Sequence, residues 1–249
     1  MMDAGFYNMD CMEAMKEFPD GFFDLAIVDP PYGDGGTNIG GRGLEDGSTG
    51  TRWNRFGQRF DRYKLPNQTG GGVSRQVAGC CRTGGTWAEK FGKKIIAWDV
   101  APGEDYFKEL FRVSRNQIIW GGNYFALPPA RCFLVWRKLT ISESFSMAMA
   151  EYAWTSLGGN AKVFEAAPQG TAKETRFHPT QKPVALYTWQ LRLYAKPGDK
   201  ILDTHVGSAS SLIACHRAGL EYWGFEIDKD YYAKAKERLD AEVAQVRLI

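Results

Sequence analysis

Five short apolar runs, "FFDLAIV" (22–28), "KIIAW" (94–98), "NQIIWGG" (116–122), "CFLVW" (132–136) and "KILD" (200–203), punctuate the chain at lengths suited to strands. Their apolar residues are continuous instead of alternating, as in strands covered on both faces. Helical patterns fall between several of them. In "EDYFKELFRVS" the residues Phe107, Leu110, Phe111 and Ser114 share one face, and in "PVALYTWQLRLYA" Val184, Tyr187, Leu191 and Tyr194 follow 3-4-3 spacing behind a proline suited to a first helical turn. A last helix from about Asp230 places Tyr232, Ala235, Leu239, Val243 and Val246 on one stripe. Strands alternating with helices predict an α/β fold with a largely parallel sheet. With 249 residues, 44% of them hydrophobic, no repeat of fixed period and no linker that splits the chain, one large domain is expected.

Composition removes several function classes. No stretch approaches the roughly 18 uninterrupted apolar residues of a membrane span, and Asp3 and Asp10 stand where a secretory leader would carry a basic region, so a cytoplasmic protein without a membrane partner is expected. The five cysteines (Cys11, Cys80, Cys81, Cys132, Cys215) contain no C-x-x-C. Neither a zinc site nor a disulfide framework is expected, and no metal is assigned.

The net charge of +2 conceals a contrast. Between Gly33 and Lys94 eleven bases, Arg42, Arg52, Arg55, Arg59, Arg62 and Arg75 among them, face five acids, which leaves the remainder of the chain net negative. Glycine-rich stretches ("GDGGTNIGGRG", "TGGGVSR") and the rings of Trp53, Phe56, Phe60, Tyr63 and Trp87 are interleaved with the arginines. Arginines meet phosphates and rings stack on bases, so 33–94 reads either as a nucleic-acid-contacting insertion or as a solvated flexible loop.

In a parallel α/β sheet ligands bind beyond the carboxyl ends of the strands, where the strand order reverses. Two loops there carry chemistry. In "LAIVDPPYG" the strand ends at Val28, Asp29 sits at its edge, Pro30 and Pro31 fix the backbone, and Tyr32 offers a flat ring beside an acceptor carboxylate. A planar base with an exocyclic amino group fits such a corner. In "GDKILDTHVGSASSLIACHRAGLEYWGFEID" (198–228) a strand ends at Asp203, the small turn "VGSAS" opens a helix with Gly219 at its C-cap, and a second strand ends in Glu226, 19 positions after Gly207. That follows nucleotide-binding logic, in which an acid about 20 residues past a small turn takes ribose hydroxyls. The glycines that cradle a pyrophosphate are missing, which disfavours a nicotinamide dehydrogenase.

On these residues the chain resembles the amino-group DNA methyltransferases that modify N6 of adenine or N4 of cytosine. "DPPYG" resembles their catalytic motif, "DTHVGSAS" the cofactor motif D-P-F-x-G-S-G-T, "HPTQKP" (178–183) the segment enclosing the methionine part of the cofactor, and "WGGNYF" (120–125) a segment lining the base pocket. Catalytic motif first and cofactor motif last is the permuted order of the beta group. The resemblance implies a single Rossmann-like class I domain over 1–249, its mostly parallel sheet seven-stranded, with 157–177 as the recognition-like segment. That segment is short here and the basic insertion is long, so much of the DNA contact is expected in 33–94. It further implies S-adenosylmethionine as cofactor and double-stranded DNA as partner, and leaves open a homodimer and a cognate restriction endonuclease as further partners. Asp29, Pro30, Pro31 and Tyr32 would be catalytic, and Asp10, Lys182, Asp203, His205, Gly207, Ser208 and Glu226 would surround the cofactor. Thr204, His205 and Ala209 depart from the motif, standing where a proline, an aromatic residue and a glycine are usual. Aspartate opening the catalytic motif favours adenine-N6. The alternatives are cytosine-N4, an RNA substrate, and a catalytically silent DNA-binding or partner subunit.

Overall fold

Residues 2–33, 100–141, 148–168 and 176–245 are described by the structure, a computed structural model. Along the chain they form β1 (Gly5–Asn8), α1 (Cys11–Met15), β2 (Leu25–Val28), α2 (Glu104–Val113), β3 (Gln117–Trp120), β4 (Phe133–Lys138), β5 (Ala150–Thr155), β6 (Lys162–Ala166), α3 (Val184–Tyr194), β7 (Lys200–Asp203), α4 (Ser210–Ala218), β8 (Glu221–Glu226) and α5 (Lys229–Val243). The strands make one sheet in the order β1, β8, β7, β2, β3, β5, β4, β6. Only β5 runs against its neighbours.

Alternation of side chains across the sheet explains the continuous apolar runs. Leu25, Ile27, Ile118, Trp120 and Ile201 enter a core closed by α3, α4 and α5, whereas Ala26, Val28, Ile119 and Leu202 enter another closed by α1 and α2. Both faces are therefore dry. β2 lies between β7 and β3, so the order reverses there and the loops after β2 and β7 diverge around a crevice. Gly224 on β8 lets that region close, because a Cβ there would lie 2.8 Å from Val206 and 2.7 Å from Leu212.

The expected α/β sheet is present, with eight strands among the described residues instead of seven. The strand expected at 94–98, the insertion 33–94 beyond Gly33 with all six named arginines, and part of 157–177 lie outside the described residues. Two helix faces are rotated from the expected ones. α2 buries Tyr106, Leu110 and Val113, leaving Phe107 and Phe111 at the margin of the core. Ser114 is buried as its C-cap, donating to the Leu110 carbonyl. α5 buries Tyr231, Ala235 and Leu239, while Tyr232 packs against Phe6 at 4.7 Å and Val243 is exposed; Val246 is not described. Pro183 caps α3 from outside its first turn.

Candidate active site

The loops after β1, β2, β3, β7 and β8 and the segment before α3 meet at the carboxyl edge of the sheet. Asp29 follows β2 directly, its side chain 13% exposed, between the buried Pro30 and the donor on Tyr32, whose Oη lies 2.8 Å from Asp29 Oδ1. The i to i+3 contact closes the D-P-P-Y corner on itself. Tyr32 also stacks on Tyr124, with centroids 4.6 Å apart and planes 17° from parallel, so one face of the expected platform is covered by the short helical turn Gly122–Tyr124 after β3. Gly121 makes this approach fit: φ is +66°, and a Cβ there would lie 2.1 Å from the Tyr32 ring. We expect Gly121→Ala to cost about 1–3 kcal/mol from backbone strain and to displace Tyr32. Urea unfolding and the near-ultraviolet tyrosine signal check it; an unchanged tyrosine signal would contradict the packing.

The other oxygen of Asp29 accepts from Lys182, which is buried just before α3. Lys182 also lies 3.1 Å from Glu151 of β5, and Glu151 pairs with the buried Lys138 at 2.5 Å. Glu151 and Lys138 are the residues that sequence reasoning missed. Burial pushes the Asp29 carboxyl up and Glu151 adds to this, while Lys182 and Tyr32 pull it back. Burial opposes the charge on Lys182 as well, but its two carboxylates outweigh that and hold its pKa above the ordinary value. Glu151, despite burial, is lowered to about 2 by the two lysines.

On the other side of the crevice, Asp203 ends β7 and accepts from the His205 amide at 3.0 Å and from the Ser211 hydroxyl. It fixes its own turn. Burial raises its carboxyl from 3.8 to about 7, the two hydrogen bonds pulling back, so its charge burdens the fold above pH 7 and the burden disappears as pH falls toward 3.8. Asp203→Asn keeps both contacts if the Ser211 hydroxyl turns to accept. Its melting temperature is expected to exceed the wild type's at pH 8 and to match it near pH 4; thermal melts across that range check it, and a pH-independent difference would refute it.

Thr204 and His205 join a chain from α2: Tyr106 Oη lies 2.6 Å from Thr204 Oγ1, which lies 2.9 Å from His205 Nδ1. The imidazole packs edge-on to Tyr106 and burial lowers its pKa to about 4, so it is neutral at physiological pH. Gly207 has φ +56°, its amide donates to Glu226 Oε2 at 2.9 Å, and a Cβ there would press the His178 ring at 3.2 Å. Hence the "HPTQKP" segment lies across the "VGSAS" turn. Ser208 pairs with Ser210, and Ala209 adopts φ +61°, a left-handed conformation that costs a non-glycine residue about 1–2 kcal/mol. The glycine usual at this position needs no further reason. The Glu226 carboxylate also accepts from the Asp228 amide at 2.9 Å, and Asp10 caps α1 through Met12 at the neighbouring strand edge. Among the described residues, each of these carboxylates keeps unfilled acceptor positions.

Residues 105–237, just over half of the chain, match the N6/N4 family described as DNA methylase. The chain belongs to this family. The D-P-P-Y corner precedes the matched stretch and is joined to it by the pairing of β2 with β3 and β7. Among curated relatives, the Type II methyltransferase M.HpaI of Haemophilus parainfluenzae is 41% identical over 70 residues, and M2.DpnII of Streptococcus pneumoniae 40% over 65. Those stretches cover 28% and 26% of this chain but only 22% and 24% of the relatives' lengths. The fold is also that of PvuII DNA methyltransferase (cytosine-N4-specific), with TM-score 0.54, 13% identity and coverage of 100% of this chain and 89% of the other. TTHA0409 of Thermus thermophilus, complexed with S-adenosyl-L-methionine, gives a TM-score of 0.51 and 16% identity over 98% of this chain and 96% of the other.

Among the described residues no helix is long and apolar enough to cross a membrane, and no cluster of His, Cys, Asp and Glu could hold a metal ion.

Proposed function

We propose that this chain methylates DNA, transferring a methyl group from S-adenosylmethionine to N6 of an adenine flipped out of the duplex. The observation that carries this reading is the corner in which the largely buried carboxylate of Asp29 is held by Tyr32 and Lys182 at the edge of β2, across the crevice from the β7 turn.

The residues on the cofactor side fit that cofactor. Gly207 leaves room that a side chain would fill against His178, and Glu226 and Asp10 offer carboxylate acceptors at adjacent strand edges, suited to hydroxyl and amino groups. His205, neutral and fixed by Thr204, takes the place of the usual aromatic ring. When bound, the cofactor supplies an electrophilic sulfonium methyl group.

The chain's own residues then act on the base. Flipping costs a few kcal/mol, which stacking and hydrogen bonds in the pocket offset. The exocyclic nitrogen is a poor nucleophile because its lone pair is delocalised into the ring. A hydrogen bond to Asp29, with a second to the Pro30 carbonyl, localises the pair and aims it for in-line transfer. A carboxyl raised by burial is also a better acceptor for the proton that the nitrogen must release. Tyr32 supplies the stacking surface.

Two features favour other readings. The structural likeness to a cytosine-N4 enzyme supports cytosine as the alternative base, since cytosine presents a similar amino edge. The left-handed Ala209 in the cofactor turn supports a silent DNA-binding subunit. The deciding experiment is incubation with S-adenosylmethionine and unmethylated genomic DNA, followed by nucleoside mass spectrometry. N6-methyldeoxyadenosine is expected; N4-methyldeoxycytidine would move the reading to cytosine, and DNA binding without either would support the silent subunit.

A further inference from the structure

Two buried lysines at one site call for an explanation that the D-P-P-Y corner does not provide. The ion pairs run in sequence: Lys138 to Glu151, Glu151 to Lys182, Lys182 to Asp29. Lys138 and Lys182 are 6% and 3% exposed, and each lies over a tryptophan, Trp136 at 5.2 Å and Trp120 at 5.5 Å. β5 supplies Glu151 because its antiparallel register sets that residue opposite Trp136, next to the end of β4 that carries Lys138.

A single lysine would satisfy Asp29, but a closed one-to-one pair would cancel the carboxylate's charge. Nitrogen gains positive charge as it takes the methyl group, and a cancelled carboxylate attracts it weakly. Glu151 changes the sum. Asp29, Lys182 and Glu151 together carry one negative charge, and Lys138, whose ion partner is Glu151, balances it one link further from the reacting edge. We propose that Glu151 is a positioning residue of the transfer site: anchored by Lys138, it shares Lys182 with Asp29 and so leaves Asp29 a charged acceptor for the amino group. This inference rests on the methyl-transfer reading.

The other titratable groups facing Asp29 are Tyr32 in its own loop, Tyr106 on α2, Tyr187 on α3 and Asp203 at the end of β7. The three tyrosines are held neutral by burial, their pKa well above the ordinary value. Asp203 changes charge near pH 7, so its contribution must be kept constant by comparing variants at each pH.

The test follows methyl transfer and the titration of Asp29 in parallel, the latter by carbon NMR of aspartate-labelled protein, which needs no activity. Glu151→Gln is expected to lower kcat by about 10- to 100-fold, the worth of one partly screened charge, with cofactor affinity by calorimetry unchanged. Lys182 then belongs wholly to Asp29, so Asp29 titrates at lower pH and the acid limb of the rate profile moves down; Glu151→Asp restores most of the rate. If Glu151 only props Lys182 in place, its loss slackens the Lys182–Asp29 contact and both move up, which overturns the proposal, as does no movement. Should Glu151→Gln fail to fold, Lys138→Met replaces it with the opposite expected sign, Asp29 titrating higher. If the wild type transfers no methyl group, the methyl-transfer reading fails by itself, and the NMR titration still decides whether Glu151 and Asp29 share Lys182.

Discussion

On the methyl-transfer reading, Asp29→Asn is expected to give a folded protein that still binds S-adenosylmethionine and DNA but transfers methyl groups about a thousandfold more slowly. The substitution is isosteric, so the D-P-P-Y corner keeps its shape and Tyr32 keeps an oxygen to which it can donate. What changes is the second atom. An amide nitrogen replaces the oxygen that accepts from Lys182, two donors face each other, and Lys182 moves toward Glu151. The target amino group then meets a neutral side chain, and the charge that would favour a developing positive nitrogen is gone. A thousandfold corresponds to about 4 kcal/mol of transition-state stabilisation. Nucleoside mass spectrometry measures the product and calorimetry the cofactor. A loss that appears wholly as weakened cofactor binding would remove Asp29 from the chemistry, because Asp203, Gly207 and Glu226 belong to the opposite side of the crevice.

The two site loops were legible because each depends on local chemistry, and their order was legible through the resemblance. Asp29 and Tyr32 are three residues apart, so their partnership follows from a strand end and two prolines. Gly207 and Glu226 likewise sit on one strand-helix-strand unit, and the structure joins them by a hydrogen bond. Glu151 was not legible. It comes from β5, whose burial rises from the exposed Ala150 to the buried Thr155 without an uninterrupted apolar run, and its partners stand at positions 138 and 182, the second of which it shares with Asp29. No local pattern reveals contacts of that span. The edge strand β6 escaped for a related reason: Val163 on it is 60% exposed and only Phe164 packs toward the core, so it carries no apolar run. Ala209 shows the reverse limit, since its departure from the motif is visible in sequence while the left-handed backbone that makes it costly is not.

Lys182→Met is expected to be the most destabilising single substitution at the site, costing about 3–5 kcal/mol and lowering the melting temperature by roughly 10 °C. Methionine fills a similar volume over Trp120 but leaves two largely buried carboxylates, 13% and 23% exposed, without their shared cation. Lys138 still serves Glu151, so the larger part of the loss falls on Asp29. The pH dependence identifies the cause. In the wild type Glu151 is lowered from 4.5 to about 2, so its pairing stabilises the fold above pH 4.5 and that contribution is lost as pH falls through 2. In the variant Glu151 loses one of its two lysines and Asp29, already raised by burial, loses the cation that pulls it back, so both carboxyls rise and protonation relieves their burial before the wild type has lost its ion pairs. The difference in stability between the two proteins is therefore largest above the raised carboxyl pKa values of the variant and narrows as pH falls through them toward 2. Urea unfolding at pH 7.5 and pH 4 measures it. A difference that stays constant with pH would assign the loss to packing around Trp120, and the charge-sharing network would then contribute little to the fold.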